Sequence, residues 1–122
     1  MAAPNIVNVS SIYGKTMGAA LGTTAGADIL SGASDKLLKI NSIIVSNVDG
    51  TNAADVHVRF FDYNVSTAYH LAKAVSVPSK STLIVLGKDA PIYLEENDRL
   101  QAHASGASDL EIIISYEELD DA

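Results

Sequence analysis

From Asp109 to Glu118 the sequence reads DLEIIISYEE, and no other stretch restricts the fold as tightly. Leu110, Ile112, Ile114 and Tyr116 alternate with Glu111, Ile113, Ser115 and Glu117, the period-two signature of a β-strand that buries one face. The first set is wholly apolar, so it needs a second layer to pack against. The reverse is polar except for Ile113, which calls for cover from that layer or from another subunit.

The other apolar segments are compatible partners for such a strand. KLLKINSIIVSNV, from Lys36, carries Leu38, Ile40, Ile43, Ile44 and Val45 and reads as a long buried strand. The change of parity between Ile40 and Ile43 predicts a bulge at Asn41 or Ser42. Asp49 and Gly50 supply turn chemistry. From Asp55 to Asp62 the alternation then puts Val56, Val58 and Phe60 on one face and His57, Arg59 and Phe61 on the other.

Further strands are expected over Tyr69 to Val77, Ser81 to Leu86, Ile92 to Leu94 and Arg99 to Ala104, separated by turns at Tyr63 to Ser66, Pro78 to Ser79, Lys88 to Asp89 and Glu95 to Asp98. Ile6 to Tyr13 and Lys15 to Thr24 are strand-like but rich in Gly, Ala, Ser and Thr, which fix register weakly. Gly22 to Asp35 reads as loop, with a helical turn or short strand at Asp28 to Leu30. No segment sustains a helical period beyond two turns. About eight antiparallel strands with regular turns predict an all-β, single β-sandwich or barrel. Residues 1–10 are expected to form an N-terminal arm or edge strand and residues 11–122 the single domain.

Composition narrows the function. With 122 residues, 48% of them apolar, the chain can bury one core of roughly two-thirds of its unfolded surface. A formal charge of -7 disfavours nucleic acid and anionic membrane as partners. The absence of cysteine excludes disulfides and thiolate chemistry. The start, MAAPNIVNVS, has no basic and apolar leader pattern, and no apolar run reaches membrane-spanning length.

Nor does a reaction centre emerge. Gly14, Lys15 and Thr16 match the end of a phosphate-binding loop, but the glycine required five residues earlier is Val9. Glu95 and Glu96, like Glu117 and Glu118, are adjacent and point to opposite sides of a strand, so neither pair can flank one bond. No serine lies in a Gly-x-Ser-x-Gly elbow. His57 and His70, if brought together with Asp55 or Asp62, would suit a transition metal; Asp49, Asn52 and Asp55 supply oxygen ligands of the kind calcium takes, without the usual loop spacing. Surface histidines and turn formation account for both sets, so no catalytic, cofactor-binding or metal-ligating residue is assigned. The expectation is a non-enzyme without cofactor.

Apolar residues exceed what one face of each strand needs: Phe61, Ile84, Leu86 and Ile113 fall on faces expected to point outward. Together with Pro4, Asn5 and Ile6 of the arm, they are the expected interface residues of a homo-oligomer, a trimer or dimer.

The segments SNVDGTNAADV at Ser46 to Val56, VPSKSTLIVL, YLEENDRLQAHAS at Tyr93 to Ser105 and the closing ISYEEL resemble small virion structural proteins of tailed bacteriophages, particularly marine and cyanobacterial phages. The resemblance covers roughly Lys36 to Leu119. It implies a non-enzymatic β-sandwich of jelly-roll type on the capsid exterior: a decoration or cement protein bound to the major capsid protein, or alternatively a neck or tail appendage. A receptor- or carbohydrate-binding module on the same sandwich is a third reading. Its aromatic platform would have to come from Tyr13, Tyr63, Tyr69, Tyr93 and Tyr116, with no tryptophan available.

Overall fold

The computed structural model describes residues 9–121, which form nine strands: β1 (Val9–Ala20), β2 (Asp28–Ser31), β3 (Lys36–Asn47), β4 (Ala54–Asp62), β5 (Thr67–Val77), β6 (Thr82–Leu86), β7 (Ile92–Leu94), β8 (Arg99–Ala104) and β9 (Leu110–Asp121). One sheet has the order β1-β9-β3-β6, with β7 continuing the β6 edge along β3; the other has the order β2-β8-β4-β5. All pairings are antiparallel. Strands β1 to β4 pass alternately between the sheets, and β8 and β9 do so again. This double-sheet order is a jelly roll.

The opening stretch is central. β9 pairs with β1 on one side and β3 on the other, and Leu110, Ile112 and Ile114 are at most 1% exposed. They meet Ile40, Ile43 and Val45 of the same sheet and Val56, Val58, Leu100 and Ala102 of the opposite one in a single aliphatic core. The bulge in β3 falls between Ile40 and Ser42, which lets Leu38 and Ile40 and then Ile43 and Val45 all face inward. At the crossing from β1, the Leu21 amide donates to the Leu110 carbonyl and the Ala104 amide to the Gly22 carbonyl, so the chain is anchored to each sheet in turn.

One sequence expectation needs correction here. Val9 to Ala20 is one continuous strand, without a break at Gly14, because β9 supplies an unbroken ladder from Tyr13 to Ala20. The acidic residues Glu117 to Asp120 extend β9 against Lys36 to Lys39 and Ser11 to Gly14. There Lys36 Nζ lies 2.8 Å from Asp120 and 3.5 Å from Glu118, and Lys15 Nζ lies 3.2 Å from Glu118. On the outward side of the same rows, Leu37 and Leu119 sit opposite each other and are buried, with Ile12 beside Leu119 and 59% exposed. At this end the larger sheet therefore buries apolar residues on its outer side as well as its inner one.

Candidate assembly surfaces

Directly opposed residues in an antiparallel sheet share a face, and the registers define what the larger sheet shows to solvent. Ile84 of β6 lies opposite Ile44, Ile44 opposite Ile113, and Ile113 opposite Gly18 of β1. Ile84 is 67% exposed and Ile113 42%. Around this row stand hydroxyls, with Thr16 and Ser115 paired at 3.3 Å and Ser46 and Thr82 at 3.3 Å. The relief is shallow, an open depression bordered by Gly18, Ala20, Glu111 and Ile113. β1 closes the sheet as a twelve-residue strand paired to β9 on one side and, among the described residues, to no strand on the other. Such an edge is a template for adding another strand.

The outer face of the smaller sheet has a different chemistry. The Arg99 guanidinium lies 5.5 Å over the ring of Phe61. Arg59 donates from Nη2 to Gln101 Oε1 at 2.6 Å, and Gln101 Nε2 donates to Asp28 Oδ1 at 2.9 Å; Arg59 Nε is buried without a hydrogen-bond acceptor. Beyond this row, His57 and His103 are directly opposed, their rings stacked at 4.2 Å and 7° from parallel. His70 of β5 meets His57 edge-on at 6.5 Å. Desolvation, followed by Lys73, Arg59 and His57, holds His70 below the usual imidazole range, and desolvation, followed by His57, Arg59 and His70, does the same to His103.

Of the expected interface residues, Pro4, Asn5 and Ile6 lie outside the described residues. Ile84 and Ile113 share the outer face of the larger sheet, while Phe61 is half-buried on the outer face of the smaller one, so these three do not form one patch. Leu86 must be withdrawn from the set: it is 7% exposed and part of the core. Pairing shifts between Ile43–Leu86 and Ile44–Ile84, and this irregularity at Val85 turns Leu86 inward although Ile84 points out.

The structure joins His57 to His70 and adds His103. Among the described residues, however, no group of three or more His, Cys, Asp or Glu side chains is placed to hold a metal ion. Asp49 serves the turn instead: Oδ1 accepts the Thr51 amide at 2.9 Å, Oδ2 lies 3.5 Å from the Asn52 amide group, and the backbone hydrogen bond leads the effects that hold its carboxyl below the usual range.

Two buried polar residues escaped sequence reasoning. Asn47 donates to the Val77 and Asn52 carbonyls and accepts the Asp49 amide. Asp98, only 2% exposed, accepts the Tyr63 amide on Oδ1 and the Glu95 amide on Oδ2, both at 3.0 Å. Asp98 was legible only as the end of the Glu95 to Asp98 turn and Asn47 only as part of the strand from Lys36, although an Asx residue next to a turn is a signal for such backbone hydrogen bonds.

No family model and no curated protein sequence matches the chain. Among solved structures, the fold resembles a chain of Bacillus endospore appendages, a family of disulfide-linked pili, with 15% identity, a TM-score of 0.53 and coverage of 92% of this chain and 88% of that one. It also resembles a chain of the acid-stable capsid of Helicobacter pylori bacteriophage KHP30, with 10% identity, a TM-score of 0.53 and coverage of 93% and 91%. At these identities the likeness is one of fold.

Proposed function

We propose that this chain is a non-enzymatic structural subunit of a phage virion, a capsid decoration protein that binds the outer surface of the major capsid shell and stabilises it. The observation that carries this reading is the outer face of the larger sheet, where Ile84, Ile44 and Ile113 form an open apolar row that ends at β1, a strand unpaired on its outer side among the described residues. Its sharing of a fold with a capsid chain and a pilus subunit, and the resemblance of Lys36 to Leu119 to phage virion proteins, support the same class. The acidic charge of -7 suits the capsid exterior better than a position against packaged nucleic acid.

Magnitudes favour binding in many copies. Covering what remains exposed of Ile84 and Ile113, 67% and 42% respectively, contributes about 2–3 kcal/mol, less than the roughly 4–15 kcal/mol that association costs in lost freedom. The row alone does not make a tight one-to-one complex. Self-association into a trimer or dimer, combined with repeated contacts on a lattice, raises the avidity without a deep pocket.

The test is cosedimentation of the purified protein with shells lacking it, with copy number quantified on virions. Saturation in proportion to the shell subunits, weakened by Ile113→Asp and Ile84→Asp, is expected. No binding to shells would overturn the proposal, and a copy number of a dozen or fewer would move the protein to the neck or tail. A carbohydrate-binding role has less support, because exposed Tyr13 on β1 and Tyr93 on β7 occupy opposite edges of the larger sheet and form no common platform.

A further inference from the structure

All three histidines of the chain come from different strands to one face of the smaller sheet, outside the isoleucine row that carries the proposed function. We propose that His57, His70 and His103 form an acid-responsive cluster that loosens the four-stranded sheet when the surroundings fall below neutral pH.

Uncharged, the His57 and His103 rings stack face to face at 4.2 Å, which favours the β4–β8 pairing through ring contact. Protonation of both would place two imidazolium charges at that separation, with a third on His70 at 6.5 Å. The surroundings do little to neutralise them. On β4 they are Arg59 and, two residues before His57 on the same face, Asp55; on β5, Lys73; on β8, neutral Gln101 and, one row further, Arg99. On β2, Asp28 is already engaged by Gln101 and lies 3.6 Å from Arg99. Cations therefore outnumber free carboxylates around the cluster.

Because His70 and His103 hold their protons less tightly than in the unfolded chain, the unfolded state binds more protons as pH falls towards and through the usual imidazole value. Stability is full above that value and declines below it.

The test is thermal unfolding of the wild type, His57→Gln, His103→Phe and the double variant between about pH 7.5 and 5.5, a window above most carboxylate titrations. Imidazole proton resonances are followed by NMR over the same range. The wild type is expected to lose melting temperature across the window. His103→Phe keeps a stacking ring without the charge, and the double variant should lose at least half of the acid sensitivity. Removing His57 should raise the midpoint of His103. An unchanged acid loss in the double variant, or three independent midpoints at the free-histidine value, would overturn the proposal.

Discussion

Asp98 offers the sharpest test of how the turns at one end of the jelly roll are held together. Its carboxylate reaches the Tyr63 amide beyond β4 and the Glu95 amide after β7, while its own carbonyl accepts the Gly32 amide at 2.8 Å and its amide donates to the Glu95 carbonyl at 3.0 Å. One side chain thus joins the β4–β5 and β7–β8 turns. Hydrogen bonds to a charged group contribute about 1.5–3 kcal/mol each, giving roughly 3–6 kcal/mol for two before the cost of burying the charge is subtracted. Asp98→Ala removes both acceptors and should destabilise by about 3–4 kcal/mol. Asp98→Asn keeps the shape but points an amino group at one of the two amides, and should lose about 2 kcal/mol. For a domain of this size, 3 kcal/mol corresponds to a fall in melting temperature of about 10 °C. Urea unfolding monitored by circular dichroism gives the free energy directly, with an unchanged slope identifying a change in stability rather than in compactness. A loss below about 1 kcal/mol for Asp98→Ala would show that water replaces the carboxylate at little cost, and the bridging argument would fail.

Three further outcomes are expected. Ile114→Ala, in the core, should cost about 2–5 kcal/mol, whereas Ile113→Ala next to it on β9 should cost under about 1 kcal/mol in the isolated protein; equal losses in urea titrations would contradict the assigned faces. Gly32→Ala places a methyl against the Glu95 carbonyl oxygen and within 3.0 Å of its carbon; because backbone cannot yield as a flexible side chain does, soluble yield and melting temperature should both fall, and wild-type values would refute the contact. Glu96 accepts the Asp35 amide at 2.8 Å, the leading cause that lowers its carboxyl titration. Its contribution is present above the unfolded carboxylate value and lost as pH falls through the lower folded one, so Glu96→Gln should flatten the acid limb of the stability profile, and an identical acid limb would exclude the contribution.

What was legible in the sequence follows a physical division. β9, β3 and β4 declare their faces because alternating side chains differ strongly in polarity, and even the bulge at Ile40 to Ser42 shows as a parity change. β1 does not, since Gly14, Thr16, Gly18 and Ala20 on one side differ little from their neighbours; its continuity comes from β9. Leu86 was misplaced because an irregularity at Val85 involves no proline or glycine to betray it. The strand order was not readable from periodicity, and jelly-roll type entered through the family resemblance alone. The outward direction of His57 could be read, but its stacking on His103, 46 residues later, depends on register across strands.

The position of β9 has a consequence for synthesis. It fills the gap between β1 and β3, yet it is the last of the nine strands to leave a ribosome. Until it emerges, two twelve-residue strands lack their common neighbour, and the hydrophobic face of β3 stands beside an open slot. The larger sheet consequently closes only after translation has passed Leu110, through contacts between distant parts of the chain that make folding slow. Nascent chains stalled before that point would expose strand edges to one another, so crowded expression should yield aggregates formed before completion rather than by unfolding of the finished domain.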